Sequence, residues 1–325
     1  MPQTFTSIDS ILEYEIQKAA GGDAYATGRD AYATGRDAYA TGGDAYATGR
    51  KRGTLGIIVN RVGTDLEAAL LAKSQGLVDL KIVGERKSIE QMLTFSGYSP
   101  QEVEIHDAVT PKDQVRILLD WISSRAIDVL STGDLNQLQL YHLLANPYHG
   151  STLEEGMSRA CLISYPGYPK LLAIVGPTGQ QQPSFDALVI HTKNSVHLAY
   201  GLGIPKPKIA LLSAIDAVTF EDLHTYNCRC LVAMSKNQQI SGVELDGPMN
   251  LDTAIAPRSI KRAVLESAVT GQADVLIVDS HQTRSVLALT LEYFRDADLA
   301  RIILGGRVPL TLFPHINQEK SILGS

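Results

Sequence analysis

One segment of the chain holds the three residue types of a serine-hydrolase triad side by side, Asp279-Ser280-His281. A carboxylate, an imidazole and a hydroxyl can together activate the hydroxyl as a nucleophile, but the members of a working triad meet in space and are rarely sequence neighbours. The sequence also lacks the G-x-S-x-G turn that presents a nucleophilic serine above a parallel sheet. Serine-based hydrolysis is therefore not predicted.

Signatures for phosphate and metal binding are incomplete as well. Gly176-Pro177-Thr178-Gly179 has the beginning of a phosphate loop, but no Gly-Lys-Ser/Thr completes it. Gly201 and Gly203 follow a predicted helix, whereas a dinucleotide-binding loop follows a strand. His191 and His197 are six residues apart, a spacing that does not put two ligands on one helical face. These motifs predict no metal site.

Bulk composition limits the class of protein. The 325 residues are 44% hydrophobic, enough for one large or two ordinary domains, and the net charge of −6 argues against a nucleic-acid partner. Three cysteines without zinc-type spacing indicate a reduced, intracellular protein. The N-terminus does not resemble a signal peptide, and no apolar run approaches the roughly 18 residues that cross a membrane. A cytoplasmic protein with no membrane contact is predicted.

Short apolar runs alternate with helical patterns along most of the chain, which predicts an α/β fold with largely parallel sheets. An N-terminal helix is predicted over residues 7–20. The other predicted helices are 64–76, 88–97, 111–125 and 185–203, and the predicted strands are 54–62, 77–84, 102–108, 126–133, 160–165, 170–176, 208–214, 230–235, 242–247, 273–280 and 301–306.

A break near His149-Gly150 suggests two α/β domains. The predicted organisation is an N-terminal helix in 1–22, an insertion in 23–52, a first domain formed by 53–150 and 298–325, and a second domain in 151–297.

The insertion consists of a seven-residue unit, D-A-Y-A-T-G-R/G, repeated four times from Asp23 to Arg50. A coiled coil needs two apolar positions per heptad, whereas each unit has one large apolar residue and a glycine that costs a helix about 1 kcal/mol. We interpret the repeats as a flexible surface loop. A tyrosine- and arginine-rich binding arm is the alternative.

Residues 241–257, SGVELDGPMNLDTAIAP, resemble the G-P-[L/M]-x-[L/F]-D-x-A-[I/V] segment of the phosphate acetyl/butyryltransferase family. Residues 193–216, KNSVHLAYGLGIPKPKIALLSAID, are similar to the corresponding stretch of its butyryltransferase-like branch. With other collinear segments the resemblance covers about residues 54–320.

This resemblance implies transfer of a short acyl group between coenzyme A and inorganic phosphate. It also implies an isocitrate/isopropylmalate dehydrogenase-like fold with an interdomain cleft, a homo-oligomer, and no permanently bound cofactor, since coenzyme A or acyl-CoA is a substrate. Asp252 becomes a candidate catalytic carboxylate, with capping of a helix that starts at about Thr253 as the alternative. The candidate coenzyme-binding residues are Gly133, Ser158, Asn194, Ser195, Gly247, Pro248 and Asn250.

Several polar positions depart from the family pattern. Pro314 and His315 stand where the family has Ser and Arg, and a neutral imidazole lacks the charged fork that suits phosphate. Arg159 replaces the His of a Met-Ser-His motif, and residues 279–285 replace P-N-x-E-x-G-N, with Arg284 at its glycine. We predict that Arg159, Arg284 and His315 rebuild the phosphate cradle.

The departures leave an alternative, a catalytically inactive family member that binds a ligand or regulates a partner. A dehydrogenase of the related fold ranks last, because the sequence lacks its metal-binding carboxylates and cofactor loop.

Overall fold

The structure is a computed structural model that describes residues 53–61, 63–131, 133–134, 156–179, 183–219, 221–256 and 267–311. The predicted N-terminal helix, the four repeats, the break at His149-Gly150 and the candidate residue His315 all lie outside these ranges. The described residues divide into two compact units. We call residues 53–134 with 300–311 the N-terminal unit, and residues 156–299 the central unit.

The N-terminal unit is a mostly parallel sheet with strand order β3-β2-β1-β4-β11-β10. Strand β11 pairs in parallel with β4 and antiparallel with β10. The strands are β1 Gly53–Ile58, β2 Val78–Gly84, β3 Glu104–Asp107, β4 Val129–Ser131, β10 Asp298–Leu304 and β11 Leu310–Thr311, and the helices are α1 Thr64–Ser74, α2 Arg86–Phe95 and α3 Pro111–Ser123.

Helix α3 shows how the sequence builds this unit. Thr110 caps it by accepting a hydrogen bond from the Asp113 backbone N–H at 3.2 Å, and Pro111 occupies the first helical position, where no N–H is needed. Leu118, Trp121 and Ile122 then recur at helical spacing and are buried.

The central unit is a five-stranded sheet with order β5-β6-β9-β7-β8. β5 and β6 form an antiparallel pair, whereas β6, β9, β7 and β8 run parallel. The strands are β5 Ser158–Ser164, β6 Leu172–Pro177, β7 Lys208–Leu212, β8 Glu244–Met249 and β9 Val275–Ile277, and the helices are α4 Phe185–Gly201, α5 Leu223–Lys236, α6 Leu251–Ile255 and α7 His281–Arg295.

A buried carboxylate fixes the amino ends of three central strands. Asp274 is 5% exposed; its Oδ2 accepts the Lys208 backbone N–H at 2.7 Å, and its Oδ1 lies 2.6 Å from Lys170 Nζ. The same residue's backbone carbonyl accepts the Ala173 N–H at 2.9 Å. The side chain and the backbone of this one residue therefore hold the starts of β6, β7 and β9 in register.

One element differs from its prediction. Residues 230–235, predicted as a strand, lie within helix α5. A short apolar run does not reveal its period, and the buried residues Thr225, Cys228, Leu231, Val232 and Ser235 follow helical spacing over the longer segment.

The α/β class with largely parallel sheets is confirmed. The predicted domain boundaries and the interdomain cleft stay predictions. Within the described ranges, no helix has both the length and the apolar character needed to cross a membrane.

Candidate functional site

The parallel strands of the central unit bring several polar segments to one edge of the sheet. Strands β6, β9, β7 and β8 end there, and β5 begins there because it runs antiparallel. We call this the central carboxyl edge. Ligands of open α/β sheets bind outside the carboxyl ends of their strands, so this edge is where a site is expected.

A basic cluster lies at the central carboxyl edge. It consists of Arg159 on β5 and of His281 and Arg284 in the first turn of α7. Burial, and then the neighbouring positive charges of Arg284 and Arg159, lower the pKa of His281 below its ordinary value. The structure thus brings together two of the three residues predicted to form a phosphate cradle, and His281 joins them.

Arg284 is the most deeply placed member of the cluster, with 3% of its surface exposed. Its Nη1 lies 3.6 Å from Cys161 Sγ, a weak acceptor, and its Nε and Nη2 have no hydrogen-bond partner. Side chains two residues apart in a strand lie on the same face, so Arg159 lies on the face of β5 where Cys161 contacts α7. Ser158 lies on the opposite face.

The adjacent Asp279-Ser280-His281 segment does not form a triad. Ser280 caps α7: its Oγ accepts the Thr283 N–H at 3.1 Å and lies 2.7 Å from Thr283 Oγ1. Asp279 Oδ1 accepts from the same threonine hydroxyl at 3.2 Å. These two residues start the helix that carries His281 and Arg284.

A buried polar network lies on the other face of β5. Ser158 Oγ is 2.7 Å from His191 Nδ1 and accepts a hydrogen bond from Asn194 Nδ2 at 2.9 Å. Ser195 Oγ donates to the His191 carbonyl at 2.7 Å. Burial lowers the pKa of His191 to about 4, so the ring is neutral at pH 7.

Ser158, Asn194 and Ser195 are therefore internal. The hydrogen bonds of Ser158 with His191 and Asn194 hold α4 against the start of β5, whereas the Ser195 bond lies within α4. Their role in binding a coenzyme stays a prediction. His191 is a histidine of the core.

A second polar network joins the ends of β7 and β8. Asp216 accepts from the backbone N–H and from the side-chain amide of Asn250, both at 2.6 Å, and from Thr253 Oγ1 at 3.0 Å. Asn250 Oδ1 in turn accepts the Thr253 N–H at 2.9 Å and caps α6. Asp216 was missed in the sequence, where its only signal was its place just after a predicted strand.

Asp252 is half-buried in the first turn of α6. The alternative reading of this residue as a helix cap was wrong, because α6 begins at Leu251 and its cap is Asn250. The catalytic role of Asp252 stays a prediction.

Gly247 and Pro248 are buried inside β8. A Cβ on Gly247 would lie 2.6 Å from Leu211 Cβ and 2.7 Å from the Leu211 carbonyl oxygen, so the glycine lets β8 approach β7 closely. The close packing of β8 on β7 explains the glycine at position 247. Contact of Gly247 or Pro248 with a coenzyme stays a prediction.

Gly133, the remaining candidate, follows β4 in the N-terminal unit. Its φ is +47°, and a Cβ there would lie 2.4 Å from the Ile58 carbonyl oxygen. The next residue, Asp134, accepts the backbone N–H groups of Asn60 and Arg61 at 2.7 and 3.0 Å. The glycine therefore allows Asp134 to fasten the segment that follows β1.

Comparison with known proteins finds similarity to one family. Residues 178–309 match the family model described as phosphate acetyl/butaryl transferase. A probable phosphate butyryltransferase of Bacillus subtilis is 27% identical over 260 residues, which are 80% of this chain and 86% of the relative. A phosphate acetyltransferase of Rhizobium meliloti is 26% identical over 262 residues, 81% of this chain and 83% of the relative.

The chain is similar to proteins of the phosphate acetyl/butyryltransferase family. It is a phosphate acyltransferase-like protein, and the relatives give no support to the inactive alternative.

Solved structures agree on the fold. A branched-chain phosphotransacylase from Enterococcus faecalis V583 superposes with a TM-score of 0.70 at 18% identity, over 83% of this chain and 95% of the other. A phosphotransacetylase from Streptococcus pyogenes gives a TM-score of 0.66 at 15% identity, over 84% of this chain and 91% of the other.

Proposed function

We propose that this protein transfers a short acyl group between coenzyme A and inorganic phosphate. In the direction of acyl-phosphate formation, a phosphate oxygen forms a bond to the acyl carbon. The carbon–sulfur bond breaks, and coenzyme A leaves as a thiolate that takes up a proton. Both substrates carry several negative charges, and charge also develops on the acyl oxygen, so the site needs fixed positive groups.

The observation that carries this proposal is the basic cluster of Arg159, His281 and Arg284 at the central carboxyl edge. The net charge of the chain is −6, so a local excess of positive groups is a feature of this site and not of the whole surface. Asp252 is proposed to face the thiol-bearing substrate from the end of β8, and His315 is kept as a further candidate.

The finer assignments belong to the same proposal. We propose the isocitrate/isopropylmalate dehydrogenase-like fold class, a homo-oligomer, a cytoplasmic location, and function without a permanently bound cofactor or a nucleic-acid partner. Similarity to the family supports the first two. The cysteine pattern supports the location, the use of coenzyme A as a substrate supports function without a bound cofactor, and the net charge of −6 argues against a nucleic-acid partner.

The test is release of coenzyme A from acetyl-, propionyl- and butyryl-CoA by the purified full chain, with and without phosphate. The proposal expects release that depends on phosphate. Arg159→Gln should lower kcat/KM for phosphate by about 10²-fold, as expected for one lost charged donor. The control is Arg295→Gln, which removes an exposed arginine from the last turn of α7. Absence of release by a folded protein with all three thioesters would refute the proposed activity.

A further inference from the structure

One cation of the basic cluster, Arg284, has buried hydrogen-bond donors without partners. The guanidinium of Arg284 is almost completely buried, and no Asp or Glu forms an ion pair with it among the described residues. Arginine stays protonated at all ordinary pH values, so the group cannot escape the cost of burial by losing its charge. A buried charge without a partner costs several kcal/mol.

The two unpartnered nitrogen atoms are a matched pair. Nε and Nη2 lie along one edge of the planar guanidinium group, and their N–H bonds point in nearly the same direction. This is a fork that binds two oxygen atoms of a carboxylate or a phosphate at once. Nη1, on the other side, contacts Cys161 Sγ and so fixes the orientation of the fork.

The surroundings of the fork favour an anion. Arg159 and His281 are close enough for the charges of both arginines to affect His281. The helix that carries His281 and Arg284 is 15 residues long, and its amino end adds partial positive charge. Gly176, the β6 partner of Arg159, has no side chain, and a Cβ there would lie 2.7 Å from Val278 Cγ2. The chain after β9 can therefore lie close to Arg159.

We infer that Arg284 binds a phosphate group through Nε and Nη2, with Arg159 adding positive charge and the imidazole of His281 lying beside them. The choice of phosphate over other oxyanions rests on the proposed function. The sequence supports the same pairing, because the two arginines occupy positions where the family pattern has glycine and histidine. This chain therefore has two cations at positions that its fold brings together.

The phosphate group has two sources, inorganic phosphate and the phosphoryl groups of coenzyme A. The experiment is thermal unfolding of the full chain in chloride, inorganic phosphate, coenzyme A or pantetheine, at matched ionic strength. At about 30 times the dissociation constant, a bound ligand should raise the Tm of the wild type by several degrees. Pantetheine lacks phosphate, so it reports contacts made by the rest of the coenzyme.

Arg284→Met is the main variant, because it keeps the length of the side chain and removes the charge. It should lose the Tm shift given by phosphate, by coenzyme A or by both, which identifies the source. In chloride alone it should unfold at the same temperature as the wild type or higher, because an uncompensated buried charge is gone. Arg284→Lys keeps a charge without the fork and should weaken phosphate binding at least tenfold. Arg295→Gln, on the same helix, should leave every shift unchanged.

Two results would overturn the inference. One is a wild-type Tm that responds to none of the phosphate-bearing ligands. The other is an equal loss of Tm by Arg284→Met in every buffer, which would indicate a structural role. These measurements involve no turnover. Phosphate binding without acyl transfer would remove the proposed function alone. Acyl transfer with an unchanged KM for phosphate and for acyl-CoA in Arg284→Met would remove this inference alone.

Discussion

The Ser158 hydroxyl oxygen and the His191 Nδ1 atom lie 2.7 Å apart in the interior of the central unit. Asn194 donates to the same oxygen. We assign the serine proton to the hydrogen bond with His191 Nδ1, which places the proton of the neutral ring on Nε2. Protonation of Nδ1 would turn this acceptor into a second donor and leave the serine proton without a partner. This pair therefore couples folding to pH.

The pKa of His191 is lowered to about 4 by burial, from an ordinary value of 6.5. The unfolded chain takes up this proton below about pH 6.5 while the folded chain does not, so stability is complete above that pH and falls as the pH drops toward 4. We expect a loss of about 2 kcal/mol between pH 7 and pH 4.5 that His191→Asn does not show. Urea unfolding at the two pH values measures it. Equal acid losses in both proteins would contradict the assigned proton positions.

Neutralising the buried carboxylate of Asp274 should destabilise the central unit strongly. Asp274→Asn weakens the ion pair with Lys170 and the acceptor for the Lys208 N–H, so we expect a loss of about 2 to 3 kcal/mol in the free energy of unfolding. Asp186→Asn, at an exposed site in the first turn of α4, is the control and should cost under about 1 kcal/mol. Similar losses for the two variants would argue against the role given to Asp274.

Two cysteines of α5 should react differently with an alkylating reagent. Burial raises the pKa of Cys228 to about 12, whereas Cys230, two residues away, is partly exposed. The thiolate is the reactive form, so at pH 8 Cys230 should be modified well before Cys228. Mass spectrometry of peptides after timed iodoacetamide treatment gives both rates. Denaturant should abolish the difference, and comparable rates in the native protein would show that α5 is misplaced or opens readily.

The Asp216 network should determine the order of α6. Asp216→Ala removes the acceptor of three hydrogen bonds from Asn250 and Thr253, and we expect about 1 to 2 kcal/mol of destabilisation. Amide exchange in residues 250–256 should accelerate more than in β7. Glu221→Ala, an exposed carboxylate nearby in the chain, serves as the control and should change neither quantity. Unaltered amide exchange in Asp216→Ala would show that α6 is ordered without the hydrogen bonds of Asp216.

The sequence predicted the alternation of strands and helices because buried apolar runs and helical periods are local properties. Its failure at residues 230–235 has the same origin, since the run Cys-Leu-Val-Ala-Met-Ser is too short to show a period. The site was harder to predict. Arg159 and Arg284 were singled out as departures from a family pattern, but only the packing of α7 against β5 places them together.

Other features gave no sequence signal. A hydrogen bond such as that between Ser158 and His191 joins residues 33 positions apart, and its existence depends on how α4 packs on β5. The cap of α6 shows the limit at short range. Asn250 and Asp252 are both good caps by residue type, and only the backbone decides which one starts the helix.

The antiparallel pairing of β5 has a consequence for how this part of the chain can vary. Ser158 and Arg159 are adjacent, yet one faces the neutral interior near His191 and the other faces the basic cluster. A slip of a single residue against β6 would exchange them and push a guanidinium among fully buried groups. A one-residue insertion or deletion at the start of this strand should therefore destabilise the central unit more than one in the segments before or after it.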